Sequence, residues 1–317
     1  TLKELEIEKE KEILFYEQAI KAKKTRSTDS IVAEYTRNFL ENEYVIGIED
    51  EYKLIKQLLP TISVSDLNKH FLNWFKFDDR IINIQYPEKI ENIISKDELL
   101  NLESKIQKSK LSQFASLVKD EPLLEKKLPG SKIIFTKNYP SINTREFRLE
   151  NGVRVFLKTT KNKEKSFSFE GTSMGGYSHA NLTNLPSAKF TEDLISESGL
   201  GDFSRVELNN KVDPSFADVE VWIEPFKEGL RGEAITKYTK ELFELIYLNF
   251  TSVRFNDVGL ENVKSYLHEK IRNENLDPNT VFFKRIRHVL YKNHPRRQPW
   301  NLNLIDQIKL DKINNFY

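Results

Sequence analysis

The stretch Arg145–Ala180, REFRLENGVRVFLKTTKNKEKSFSFEGTSMGGYSHA, decides the fold. Phe147 and Leu149 alternate with polar residues up to Asn151-Gly152, and Val153, Val155 and Leu157 alternate beyond it. An Asn-Gly pair between two alternating runs predicts a β-hairpin whose two turn residues both take φ > 0. A further strand is predicted over Ser166–Ser173, stopped by Gly175-Gly176. The block reads as the opening of a domain, so most of what precedes it belongs to something else.

Downstream, Ser187–Ser198 is predicted as a helix with Phe190, Leu194 and Ile195 inward, and Ser204-x-x-Glu207 caps another. A strand follows with Ala217, Val219, Val221 and Ile223 on one face and Asp218, Glu220, Trp222 and Glu224 on a wetter one. Gly229 and Gly232 bracket a returning segment. Over Ile235–Phe250 a strongly apolar helix is predicted. Ile235, Tyr238, Leu242, Leu245, Ile246 and Asn249 share its inner face, and Phe243, Tyr247 and Phe250 widen it. Helices are predicted over Gly259–Asn275, Pro278–Lys292 and from Leu310 to Tyr317, the second opened by Asp277-Pro278, with no strand following to close the domain.

Upstream, helices are predicted over Thr1–Lys24, Ser30–Asn42 and Ile48–Leu59, the last ended by Pro60. Ser63 caps a fourth, with Asp66 as the box partner and Leu67, Phe71, Trp74 and Phe75 as its apolar face. Ile81, Ile82, Ile84 and Tyr86 read as a short strand stopped by Pro87. Helices running into one strand look like the tail of an α+β domain. Residues 88–143 read as an ordered strap, with a capping box at Ser95-x-x-Glu98, a helix over Leu111–Val118, and turns at Leu128-Pro-Gly130 and Tyr139-Pro140.

The chain has 317 residues, 49 Lys+Arg and 48 Asp+Glu, and so lacks the basic excess that a nucleic-acid binder uses to displace counterions. It has no cysteine, which excludes disulfides, thiolate zinc ligands and thiol nucleophiles. No apolar run approaches the roughly 20 residues of a membrane span. The chain opens at Thr1 without Met and reads as a processed piece carrying no export signal.

Catalytic motifs are missing. His70, His179, His268, His288 and His294 form no H-x-x-E-H or H-E-x-x-H pair, since His268-Glu269 would need a second histidine where Arg272 stands. Gly171–Gly176 has glycines at the wrong offsets for a nucleophile elbow and no Gly-Lys-Ser/Thr for a phosphate loop. His294-Pro-Arg-Arg297 is a small basic cluster read as a solvated loop. Lys189 and Asp193 stand at i and i+4, with Glu192 beside Asp193, the spacing of an ordinary helical ion pair.

Taken in order, several segments resemble the pitrilysin/insulinase (M16) family of zinc metallopeptidases, nearest to its long bacterial members. They are ENEYVIGIE ending at Glu49, Leu58–Asn68, Pro87-Glu88-Lys89, Glu121-Pro-Leu-Leu124, Leu149–Val155 with Lys158, Gly175–Ser178, Gly199-Leu-Gly201 and Glu244–Leu248. The resemblance implies α+β units of the processing-peptidase type, with mainly antiparallel sheet packed by helices. Residues 1–87 would be the end of one unit, mostly helical with one strand. Residues 88–143 would be a linker strap, and residues 144–317 an inactive unit cut before its last strand.

In an active unit of this family the helix after the Gly turn reads A-H-x-x-E-H. Here Ala188, Lys189, Phe190, Thr191, Glu192 and Asp193 occupy those positions, with Lys189 and Asp193 in place of the zinc histidines and Glu192 in place of the general base. A protonated Lys repels zinc, so the resemblance implies no catalytic residue, cofactor or metal in this chain, and zinc only in the full-length protein. The partners it implies are unfolded peptide and the catalytic half of the same polypeptide. No nucleic acid and no transmembrane segment is implied, and the location is the periplasm or cell envelope. Two other readings stay open: a metal-free scaffold subunit of the same fold, and a helical adaptor without it.

Overall fold

The structure, a computed structural model, describes residues 1–74, 81–86, 93–110, 119–160, 166–212, 217–292 and 294–317. It opens with helices α1 (Leu2–Lys21), α2 (Thr28–Glu41), α3 (Ile48–Leu58) and α4 (Val64–Trp74). Their starts are local events. Thr1 and Glu4 form a capping box, Ser27 accepts from Ser30 N, and Ser63 and Asp66 exchange hydrogen bonds. Leu5 and Leu14 of α1 are buried, but α2, α3 and α4 bury no residue and leave Phe39 83% and Trp74 76% exposed.

The strand predicted at Ile81–Tyr86 is not formed: the segment lies in no regular element and Ile81 is 98% exposed. A strand needs a neighbour to take its N–H and C=O groups, and no described strand pairs with it. Phe75, Pro87-Glu88-Lys89 and the helix expected over Leu111–Val118 lie outside the described residues.

Helix α5 (Lys96–Lys108) starts at the predicted box, where Ser95 N donates to Glu98 and Glu98 N to Ser95 Oγ. Farther on, Leu123 is buried in the core beside Phe203, and Lys119 Nζ donates to Asp202 O at 2.8 Å.

The first sheet holds β1 (Ile133–Tyr139), β2 (Thr144–Leu149) and β3 (Arg154–Lys158), all antiparallel in that order. β1 falls where the sequence predicts only connector, because Ile133-Ile134-Phe135 is a run rather than an alternation. The β2–β3 hairpin forms as predicted, but its turn differs. Only Gly152 has positive φ, at +89°. Gly152 N donates to Leu149 O, and Leu149 N to Val153 O. This is a three-residue loop in which the left-handed glycine follows the turn, so Asn151 is spared φ > 0.

Next come β4 (Ser166–Met174), α6 (Leu185–Lys189), α7 (Thr191–Ser196), β5 (Gly199–Leu200), α8 (Arg205–Val212), β6 (Asp218–Ile223) and β7 (Lys227–Ile235). The remainder is α9 (Thr239–Thr251), β8 (Val253–Arg254), α10 (Asp257–Glu274), α11 (Pro278–Leu290), α12 (Leu302–Asp306) and α13 (Leu310–Phe316). β4 does not extend the hairpin; it joins a second antiparallel sheet in the order β4–β7–β6. β5 and β8 form a small antiparallel pair.

Helix α9 lays Leu242, Leu245 and Leu248 among Phe203, Ala217 and Ala234. Helix α7 works on two sides: Leu194 joins Leu260, Val263 and Leu267 of α10, while Ile195 meets Val221 and Leu230 of the sheet. The architecture is α+β, helices over antiparallel sheet. Phe243, Tyr247 and Phe250 do not widen the inner face of α9; they stand 58%, 39% and 69% exposed. One stripe of the helix meets the sheet, and these three lie outside it.

The cap of α8 carries a pH dependence. Ser204 N, then the Ser204 hydroxyl, then Lys119 hold the Glu207 carboxylate, taking its pKa from the ordinary 4.5 down to about 2. A depressed folded pKa gives stability that is fully present above the unfolded value and is lost as pH falls through the folded one. Urea midpoints of the native chain are therefore expected to fall between pH 4.5 and about 2 more steeply than those of Glu207→Gln. Parallel acid limbs would contradict this.

Candidate functional site

The residues singled out by the sequence lie where β4 ends and α6–α7 begins. The predicted continuous helix Ser187–Ser198 is broken at Phe190, which sits at φ −106°, ψ 14°. The break has a local cause. Ser187 O accepts from Phe190 N at 3.2 Å and from the Thr191 hydroxyl at 3.0 Å, so it is taken up by a tighter turn and a side chain. The Ser187 hydroxyl in turn accepts from Lys309 N at 3.0 Å, which pins α6 to the segment before α13.

The break sends the three residues different ways. Lys189 Nζ donates to Arg296 O at 3.1 Å and lies over the rings of Tyr177 and Trp300, 5.2 and 4.9 Å from their centroids. Burial, and then Arg297 and Arg296, push its pKa below the usual lysine value. Carbonyl and rings nevertheless meet it as a cation. The i,i+4 pair with Asp193 does not form. The charges around Lys189 are Arg296 and Arg297, and those around Asp193 are Glu192 and Lys270.

Glu192 Oε2 accepts from Ile223 N at 2.8 Å. Ile223 belongs to β6, the sheet edge whose other side is taken by β7, so Glu192 satisfies an edge N–H that the ladder leaves open. Asp193 is half-buried; burial and then Glu192 raise its pKa. Glu192 and Asp193 share a cleft of about 480 Å³ with Asp218, Glu220, Arg205 and Asn249. Burial, then Glu220 and Glu233, likewise raise Asp218. Glu220 is held bidentately by Arg231 at 2.7 and 2.9 Å, and Arg205 pairs with Glu197.

This arrangement does not fit zinc. Of the two positions that would be ligands, one is an ammonium hydrogen-bonded to a carbonyl, and the neighbouring Glu192 carboxylate is committed to a backbone N–H. The histidines are dispersed: His70 beside Trp74, His268 Nε2 at 3.0 Å from Asp306, and His294 Nδ1 accepting from Arg296 N. Among the described residues no group of three or more His, Cys, Asp or Glu is gathered for a metal.

The basic cluster at His294–Arg297 also differs from the solvated loop expected. Arg296 donates to Tyr177 O at 3.3 Å and Ala180 O at 2.6 Å, clamping the turn that leads into α6. No sequence motif marks this role; the signal was only two arginines near a proline.

No family model matches the chain. It is 27% identical over 272 residues to the "Zinc protease PQQL-like" protein of Arabidopsis thaliana, covering 83% of this chain and 25% of that protein. It is 19% identical over 283 residues to the "Probable zinc protease PqqL" of Haemophilus influenzae, covering 87% of this chain and 30% of that one. The structure of the periplasmic protease PqqL from Escherichia coli superposes with a TM-score of 0.56 at 17% identity, over 97% of this chain and 34% of that one. A mutant of the ferredoxin protease FusC in complex with Arabidopsis ferredoxin gives 0.52 at 18% identity, over 99% and 37%. The chain thus spans about a quarter to a third of the curated relatives' length. In sequence and in fold, the chain is similar to the pitrilysin-like M16 zinc proteases.

Proposed function

We propose that the chain is a non-catalytic, substrate-enclosing portion of an M16-type zinc metalloendopeptidase. The observation that carries this is the state of α6–α7. In the place of a zinc helix stands a broken helix, with Lys189 spent on Arg296 O and two rings and Glu192 spent on Ile223 N. Zinc in the full-length protein would be held by a different unit and would supply the polarised water for peptide hydrolysis. The part assigned to this chain is to form chamber wall and to help enclose unfolded peptide.

In this reading residues 1–87 end one unit, residues 88–143 are a strap whose last part supplies β1, and residues 144–317 are a degenerate unit. The open apolar sides of α2–α4, with Phe39, Leu40, Leu72 and Trp74 exposed, support a first unit that is only partly contained in this chain. The family likeness to the periplasmic PqqL supports the periplasm or cell envelope as its place.

The test is metal content and peptide cleavage together. The purified chain, supplied with zinc and then desalted, is expected to retain less than stoichiometric metal and to leave an unstructured peptide intact. One zinc per chain, or cleavage abolished by a chelator, would overturn the reading.

A further inference from the structure

The β1–β2–β3 sheet carries a patterned face that the chamber-wall reading does not use. Register places Tyr139, Thr144 and Lys158 in one row across the strands, Lys137, Glu146 and Phe156 in the next, and Phe135, Arg148 and Arg154 in the third. Side chains directly opposite share a face, so four cations and three rings surround one carboxylate.

The carboxylate is covered by its neighbours on that face. Glu146 is 1% exposed and accepts from Tyr139 Oη at 2.8 Å and from Arg148 Nε and Arg154 Nε at 3.1 Å each. The cations stay at the surface. Lys137 and Lys158 form no ion pair among the described residues, and the Arg148 and Arg154 side chains are 50% and 57% exposed. Each ring carries a cation over one face: Arg148 lies 4.6 Å from Phe135, Lys137 4.8 Å from Tyr139, and Arg154 5.1 Å from Phe156.

These details select the partner. A single-stranded nucleic-acid platform stacks bases on open aromatic faces. Here a cation already occupies one face of each ring, and the chain as a whole has a net charge of only +1. What the surface offers is cations braced on rings, which lowers the entropy lost when an anion docks. Same-face positions along a strand repeat every ~7 Å, and the patch measures about 10 Å by about 13 Å. An extended peptide carries its alternate side chains at that same ~7 Å repeat. We infer that this face of β1–β2–β3 is a docking surface for an extended polypeptide segment rich in Asp and Glu, its alternate carboxylates meeting Lys137, Arg148, Arg154 and Lys158. The inference stands apart from the zinc-free reading of α6–α7 and survives or fails without it.

The experiment titrates the 317-residue chain into a short fluorescein-labelled peptide of alternating Glu and Ser, read by anisotropy at low salt. Saturable binding is expected, absent for the matched Gln/Ser peptide and weakened by added salt. Lys137→Glu/Lys158→Glu removes none of the three groups that hold Glu146, although position 137 lies opposite it, and is expected to weaken binding about tenfold, since two attractive pairs are replaced by repulsive ones. Should the reversal alter the circular dichroism spectrum, Lys137→Gln/Lys158→Gln replaces it, with a loss of about threefold expected. No saturable binding, or equal binding by the substituted chain, would overturn the inference. So would tighter binding of an oligothymidylate of equal length that is lost in the same variant.

Discussion

A chain carrying Gly229→Ala is expected to lose the native packing of the β4–β7–β6 sheet. A Cβ at Gly229 would stand 1.9 Å from Gly171 O on β4 and 2.8–2.9 Å from the Trp222 ring on β6. Neither neighbour has room to give. Gly171 O is backbone in the middle of the central pairing, and Trp222 is 9% exposed although it lies on the wetter side of its strand. Trp222 can cover that side because the position opposite it in the register is a glycine. Overpacking costs ~1–3 kcal/mol where side chains can move, and a clash with backbone places this substitution at about 3 kcal/mol or above. Urea unfolding followed by Trp fluorescence measures it. Gly130→Ala is the control, because nothing lies within 4 Å of a Cβ there. Matching midpoints for the two variants would show that β7 does not pack as described.

Leu242→Ala and Phe243→Ala are expected to differ sharply although they are neighbours. Leu242 is fully buried (0%) in the cluster that joins α9 to the sheet, while Phe243 is 58% exposed. Truncating a buried Leu costs ~2–5 kcal/mol, the transfer term plus the cavity left behind. An exposed position outside any cap or network changes stability by about 0.5 kcal/mol or less. Composition alone ranks the two the other way, since phenylalanine is the larger apolar group. Urea midpoints of both variants separate these expectations, and a Phe243 variant as unstable as the Leu242 variant would mean that α9 is rotated about its axis.

The parts of the fold legible in the sequence are those set by interactions within a few residues. The boxes at Ser63–Asp66, Ser95–Glu98 and Ser204–Glu207 form because donor and acceptor are three residues apart. The Asn151-Gly152 hairpin forms for the same reason, although its turn places only Gly152 at positive φ. Asp277-Pro278 opens α11 as the pattern requires, with Asp277 accepting from Asn279 N and Thr280 N. The candidate site was legible only as a register: Lys189, Glu192 and Asp193 were found by their place after the Gly-Gly turn, compared with a family motif.

The rest was decided across the chain. β1 takes its place because β2 offers an edge, while Ile81–Tyr86 stays unpaired because no described strand does. The break at Phe190 is local, but the Lys189 it frees finds its partner at Arg296 O, 107 residues away in sequence. Glu192 finds Ile223 N, the open N–H of a sheet edge. Caps, turns and amphipathic stripes follow from the sequence by itself because their partners are covalently close. The family resemblance alone aligns Lys189 and Asp193 with ligating histidines. What those groups do instead is decided by tertiary structure, because a buried ammonium or carboxylate must find whatever carbonyl, ring or N–H the packing brings within reach.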